Sequence, residues 1–391
     1  MVFSLARAFV SSLAVLVLCD SVWAGRAECQ YPTADPLSGC AADTLLVGPP
    51  GTANVDFTTV QSAVLSLPND TTPYTILVLP GNYTEQVNVT RPGPVTLLGQ
   101  TVAPTDRTQN AVSIVWAAIA GTGDNAYTST LTVAPTLNAS LTGAGPDGNT
   151  VPPGTPFGNV DFRAYNIDLV NDYAPYSDDP SLAISISYAN AGFYYCGFYS
   201  YQDTIYIGKL GNTYIYDSEI AGQTDFLYGF GTLWVQSSLL SLRSCGGGIT
   251  AWKGTNTTFV NSYGVYIVDS EVRKANSSLN IEGQCALGRP WNAQDRSIFA
   301  YTYLDNSIEP SGYIPWAGVA GGRIDFNTTM AEFRDYGPGF NLTGREEAGI
   351  TQLMTPEEYA PYDRVEKVFQ YPFSGEYGNV AWIDQTPWVL W

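Results

Sequence analysis

The sequence contains no histidine. Without an imidazole to move the proton, the Ser-His-Asp and Cys-His nucleophile machines are excluded. So are zinc, copper and haem sites built on histidine. Any hydrolytic chemistry must run on carboxylates, arginine, amides or a carboxylate-bound ion. Positive charge is also scarce: 17 Lys and Arg stand against 36 Asp and Glu, a net charge of −19. No basic cluster appears, so nucleic-acid binding, which needs phosphate neutralisation, is excluded as well. Long apolar runs are missing. The run Ala8–Leu18 falls short of the ~20 residues a membrane span requires, and nothing later is longer.

What is abundant points to a large core. Charged residues make up 14% of the chain, against a usual ~25%. Aromatics reach 13%, with 26 tyrosines and 38 glycines. A chain this apolar is not disordered. Its length of 391 residues admits two domains, but single all-β domains of this size are common.

The N-terminus reads as a secretory signal over residues 1–24. Arg7 supplies the basic region, Ala8–Leu18 the apolar run, and Val22-Trp23-Ala24 a small residue at the cut. Eight Asn-x-Ser/Thr sequons, at Asn69, Asn82, Asn88, Asn138, Asn256, Asn276, Asn327 and Asn341, fit an exported glycoprotein. Loss of Cys19 with the signal leaves five cysteines. Cys29 and Cys40 are close enough in sequence to pair. Of Cys196, Cys245 and Cys285, two can pair and one stays free, and Cys245–Cys285 is the favoured pairing.

Residues 25–58 form an arm punctuated by Pro and Gly. Thr59 then caps a short helix over 60–67, ended by Pro68, with apolar residues 60, 63, 64 and 67 on one face. Short β-branched runs follow at 76–79, 95–98 and 112–115. The stretch 137–158 reads as a long loop within one domain, because the same strand pattern resumes at Asn159.

The middle of the chain repeats. Leu182-Ala-Ile-Ser-Ile-Ser is followed 21 residues later by Asp203-Thr-Ile-Tyr-Ile-Gly, and 22 residues after that by Asp225-Phe-Leu-Tyr-Gly-Phe. A second set, Phe193-Tyr-Tyr, Tyr214-Ile-Tyr and Leu233-Trp-Val, recurs at nearly the same period. Short strands at this period without helices predict a parallel β-solenoid. Leucine-rich repeats need a Leu/Asn consensus that is absent, and a β-sandwich is the remaining alternative. In a solenoid, residues one coil apart stack at ~4.8 Å. Asp203 and Asp225 therefore fall side by side. Two carboxylates so placed do not both ionise cheaply, so an acid sits beside a base.

Four motifs carry a family resemblance: Gly81-Asn-Tyr83-Thr-Glu85, Tyr201-Gln202-Asp203-Thr204-Ile205-Tyr206, Gly222-Gln-Thr-Asp225-Phe226-Leu227-Tyr228-Gly229 and Leu287-Gly288-Arg289-Pro290-Trp291. Together with Glu332-Phe333 and Gly337-Pro338-Gly339 they make the chain resemble the pectin methylesterases, from about Val60 to Arg345. The resemblance implies an all-β, right-handed parallel β-helix with a short N-terminal capping helix, its catalytic domain spanning 59–391. It implies removal of methyl esters from pectin, with methanol released. Asp225 is then the nucleophile and Asp203 the general acid and later base. Arg289 holds the Asp225 carboxylate, and Gln202 donates to the oxyanion. Trp291 and Tyr228 are the expected sugar platforms, with Tyr206 beside them.

Three positions depart from the family pattern. Ser181 stands where a glutamine is expected, so an oxyanion donor is lost or replaced by Ser181, a water or Gln223. The cysteine partner of Cys196 is missing near Asp217, and Tyr313 stands where the family often has Trp. No metal or cofactor is implied. The expected protein is a secreted monomer whose partner is pectin, with no nucleic acid and no membrane once the signal is cut. The alternatives are a wall-binding solenoid without catalysis and a pectin depolymerase using Asp178-Asp179. Polygalacturonases, however, carry a motif histidine, and pectate lyase motifs are absent.

Overall fold

A computed structural model describes residues 25–143, 152–255 and 257–386. The signal over 1–24, the sequon at Asn256 and part of the long loop lie outside the described residues. Among those described, the strands form three sheets of 11, 8 and 7 strands in which all pairs between named strands are parallel. Each turn of the chain gives one strand to each sheet in succession. The turn Ile184–Ile186, Asn190–Tyr194 and Gly197–Tyr199 is followed by Ile205–Ile207, Asn212–Tyr216 and Glu219–Thr224. This is the expected right-handed parallel β-helix.

The repeat has the register read from the sequence. Ile184 pairs with Ile205, and Ile205 with Leu227. The second strand set is offset from its sequence alignment: Phe193 pairs with Ile215, and Ile215 with Val235. The reason is the period-2 alternation of a strand, in which a one-residue slip exchanges inner and outer faces. Phe193, Ile215 and Val235 point into the coil interior. Tyr194, Tyr214 and Trp234 cover the outside, beneath the C-terminal residues Phe369 and Trp382.

Six coils turn from the 11-stranded to the 8-stranded sheet on a single left-handed residue, at Asn166, Tyr195, Asp217, Ser237, Asp269 and Tyr301. The residue after it often joins a ladder inside the corner. Cys196 N donates to Ser218 Oγ, Ser218 N to Ser238 Oγ and Ser238 N to Ser270 Oγ. Cys196 is the buried free thiol, standing where its neighbours carry serine. Asp217, near the missing partner cysteine, is ion-paired with Arg107 instead.

The helix Val60–Ser66 has Thr59 as its cap, accepting from Ser62 N. Its first amides, Val60 N and Gln61 N, also donate to the two Glu85 oxygens at 2.8 Å each. The Gly-x-Tyr-x-Glu motif thus closes the end of the coil, since a carboxylate suits a helix N-terminus. Strands Tyr74–Val78, Val95–Gly99 and Val112–Trp116 match the expected runs within two residues. Leu45–Val47, from the arm, pairs with Tyr74–Val78 as the first strand of the long sheet. After the stretch that begins at 137 the coil resumes at Phe162–Tyr165, which pairs with Val95–Gly99. Disulfides join Cys29 to Cys40 and Cys245 to Cys285. No helix among the described residues is long and apolar enough to cross a membrane.

Candidate active site

The corner entering the seven-stranded sheet brings together the aspartates expected to be catalytic. Asp203 (φ 60°), Asp225 (φ 47°) and Gly247 (φ 62°) take left-handed turns on three successive coils. Asp tolerates this conformation better than most residues, and glycine adopts it freely. Asp203 and Asp225 are neighbours, each 7% exposed.

Arg289 grips Asp225 with a fork, Nε to Oδ1 at 3.0 Å and Nη2 to Oδ2 at 2.6 Å. Gly248 N adds a third bond to Oδ1 at 3.1 Å. The arginine follows Ala286–Gly288, which pairs with Gly248–Trp252, so it lies two coils beyond Asp225. It reaches across the intervening coil because position 247 has no side chain. A Cβ there would sit 2.5 Å from Asp225 Oδ1 and 2.8 Å from Arg289 Nη2. The Cys245–Cys285 disulfide fastens the coil of Gly247 to the coil of Arg289.

The two carboxyls differ electrically. Burial pushes Asp225 up, opposed by the Arg289 fork and Gly248 N–H. Asp203 is held well above the usual carboxylate range, by burial first and then by the charge of Asp225, with Asp179 adding to it. Against this it has the charge of Arg289 and one amide, Asn125 Nδ2, donating to its Oδ2 at 3.1 Å. The proton of the pair therefore resides on Asp203 and the negative charge on Asp225.

Two glutamines face the same loop residue. Ser177 Oγ donates to Gln202 Oε1 at 2.8 Å, and Ser177 N donates to Gln223 Oε1 at 3.2 Å. Both amide oxygens are thus occupied by Ser177, which leaves the Nε2 groups to donate elsewhere. Ser181 is not brought to the pair. Its hydroxyl is buried against Ser200 Oγ at 2.8 Å.

The aromatic residues sort by burial. Trp291 is half-buried, with its amide fixed to Trp252 O at 2.9 Å and Lys253 Nζ 3.8 Å from its ring centre. Tyr206 and Tyr228 correct the expectation of sugar platforms. At 0% and 2% exposure they have no free face for a sugar ring. Their rings pack at a tilt of 32° with centroids 4.9 Å apart, and Tyr228 supports Trp291 from 5.5 Å. Tyr313 is likewise buried, its hydroxyl donating to Ser297 O at 2.9 Å. The half-buried aromatic that the motifs do not mark is Trp316, with the Arg289 and Arg323 guanidiniums each 4.1 Å from its ring centre. Asn125 and Ser177 were missed too, and Asp179, read only as half of a depolymerase pair, stands beside Asp203 instead. Asn125 opens the short 3-10 helix Asn125–Thr128 and the other two sit in a loop, so no strand period marks them.

A coiled parallel sheet with a polarised aspartate pair, an arginine fork and an aromatic rim defines a class: solenoid hydrolases that work on carbohydrate without histidine. The comparisons narrow it. The pectinesterase family profile matches residues 156–368, more than half of the chain, and the chain belongs to that family. A probable pectinesterase A of Aspergillus flavus is 28% identical over 312 residues, 79% of this chain and 82% of that protein. The fold is similar to a crystal structure of the pectin methylesterase from Aspergillus niger, with TM-score 0.64 and 23% identity over 81% of this chain and 91% of that one. A pectin methylesterase in complex with a hexasaccharide is similar at TM-score 0.63 and 22% identity, covering 85% and 98%.

Proposed function

We propose that the chain removes methyl esters from homogalacturonan, releasing methanol and leaving free carboxylates. The Asp225 carboxylate attacks the ester carbonyl carbon. The oxygen that becomes negative takes hydrogen bonds from Gln202 Nε2 and, from the next coil, Gln223 Nε2. Oxyanion donors of this kind are each worth ~10²–10³ in rate, and Gln223 fills the place of the glutamine expected at Ser181. As the C–O bond to the methoxy group breaks, Asp203 gives its proton to the departing methanol. An anhydride between Asp225 and the galacturonate remains. Asp203, now ionised, takes a proton from water; the hydroxide adds to the sugar-side carbonyl and the Asp225 carboxylate leaves. Arg289 receives that charge each time it returns. Trp291 offers the sugar face.

The observation that supports this reading most strongly is the unequal pair: Asp203 held protonated by burial and by Asp225, beside an Asp225 forked by Arg289. Export as a glycoprotein is part of the proposal. It is supported by the two disulfides and by six of the seven described sequon asparagines being exposed, with Asn88 half-buried.

The test is methanol release from highly methylated pectin by the purified protein, with viscosity followed in parallel. Methanol without loss of viscosity is expected, and Asp225→Asn should abolish it while the far-UV spectrum and melting transition persist. A fall in viscosity would instead indicate a depolymerase. Retention on pectin with neither change would indicate a binding solenoid.

A further inference from the structure

We infer that Arg323 is a binding residue for the free carboxylate of a galacturonate lying next to the ester under attack. The inference rests on the esterase reading above and adds a preference to it: the site takes its methyl ester beside an acid already released.

The first observation is charge placement. In a chain with more than two acids for each base, eight of the basic residues are held in salt bridges to Asp or Glu among the described residues. Arg323 is not. Its Nη1 donates to Trp291 O at 2.6 Å, and its guanidinium lies over Trp316 at 4.1 Å. Both contacts orient the fork. Neither neutralises it, and neither uses Nε or Nη2. Half-buried at the edge of the Trp291 platform, the fork has the planar, two-pronged shape that fits a carboxylate.

The second observation is the backbone that presents it. Gly321, Gly322 and Arg323 are three consecutive left-handed residues, with φ of 69°, 62° and 62°. Glycine accepts this conformation, but an arginine in it costs about 1–2 kcal/mol. Strain of this kind, found at an observed outlier, collects at ligand clamps. The neighbouring cation sharpens the argument. Arg289 faces the same Trp316 ring but is already committed to Asp225. Two guanidiniums against one indole repel each other, and a substrate carboxylate arriving at Arg323 relieves that repulsion. A neutral methyl ester does not. Each turnover makes such a carboxylate, so an enzyme with this clamp works next to its own product and clears esters in blocks.

The test compares two homogalacturonans, one fully methyl-esterified and one partly de-esterified at random, by the ratio of their kcat/KM values for methanol release. Wild type is expected to favour the partly de-esterified polymer, and Arg323→Gln to lower that ratio about tenfold, chiefly through KM, as for loss of one charge-assisted contact. Arg323→Lys, which keeps charge without the fork, should fall between. In parallel, binding of a fully de-esterified trigalacturonate is measured by calorimetry, with Arg323→Gln expected to weaken it about tenfold. An unchanged ratio, or equal loss on both polymers, overturns the proposal. So does trigalacturonate binding that ignores the substitution. If wild type releases no methanol from either polymer, the esterase reading falls. The calorimetric arm still decides the carboxylate clamp.

Discussion

Replacing Arg289 by lysine separates the charge at Asp225 from its geometry. Arginine gives that carboxylate two bonds, at 3.0 and 2.6 Å, and Gly248 N gives a third at 3.1 Å. Lysine keeps the positive charge but makes one bond in place of the fork. The carboxylate loses one charge-assisted hydrogen bond, about 1.5–3 kcal/mol. At about 1.4 kcal/mol per pKa unit, its pKa rises by ~1–2 units. The working form requires Asp225 ionised and Asp203 protonated, so proton uptake by Asp225 sets the acid side of the rate profile. That side moves to higher pH by ~1–2 units. The alkaline side reports loss of the Asp203 proton and holds its position, because the charge opposing that proton is retained. The bell narrows from the acid side. The turnover number at its maximum falls as well, by ~10–10²-fold, because Asp225 is no longer aimed from both oxygens. Initial rates of methanol release measured across pH on purified wild type and Arg289→Lys provide both numbers. An acid limb that stays put, with kcat within about twofold of wild type, would falsify the assignment of Arg289 as the group that keeps the nucleophile ionised.

Three further outcomes are expected. Gly247→Ala places a Cβ 2.5 Å from Asp225 Oδ1 on a residue with φ of 62°, so it should cost ~1–2 kcal/mol in stability and lower methanol release at least tenfold; thermal melts and rates on the same sample check both, and an unaltered rate contradicts the spacing argument. Ser177→Ala should lower kcat about fivefold with KM held, and should have no further effect in a Gln202→Ala background; additive losses would mean that Ser177 does not act through that glutamine. Asp295 is fully buried, accepting from Trp252 N and Ser297 Oγ, and burial pushes its carboxyl up to about 8. Because the folded form holds the proton more tightly than the unfolded chain, the resulting stability is complete below about pH 4 and is lost as pH rises through about 8. The melting temperature should fall across that window, and Asp295→Asn should flatten the fall; a slope unchanged in the variant assigns it to other groups.

How far the sequence could be read depended on periodicity. The register of Ile184, Ile205 and Leu227 is visible because hydrophobic alternation repeats in it, and it alone places Asp203 beside Asp225. The offset of the Tyr-rich strands was not visible, since tyrosine occurs on both faces: Tyr194 and Tyr214 coat the outside, while Tyr313 fills the inside. The family resemblance made Tyr206 and Tyr228 the expected platforms, whereas burial makes them the underlay of Trp291. The Gly-x-Tyr-x-Glu motif contributed to the family resemblance without revealing its task, because Glu85 caps a helix that begins 25 residues earlier. Asn125, Ser177 and Arg323 lie in short 3-10 turns and a loop outside the strands, where positions follow from tertiary packing and no local spacing announces them.

The absence of histidine then has a structural counterpart. An imidazole is useful because one group can both give and take a proton near neutrality. In the proposed mechanism that property is divided between two carboxyls, and the division needs a scaffold that forces like charges together. A parallel β-helix does so by construction, because equivalent positions on adjacent coils cannot move apart. Stacking alone would leave the pair symmetric, sharing its proton. Asymmetry comes from the third coil, where Gly247 opens a path for Arg289 to reach Asp225 and not Asp203. The catalytic polarity of the site is therefore set by a glycine as much as by its charged groups, and the coil carrying that glycine is the one the Cys245–Cys285 disulfide ties down.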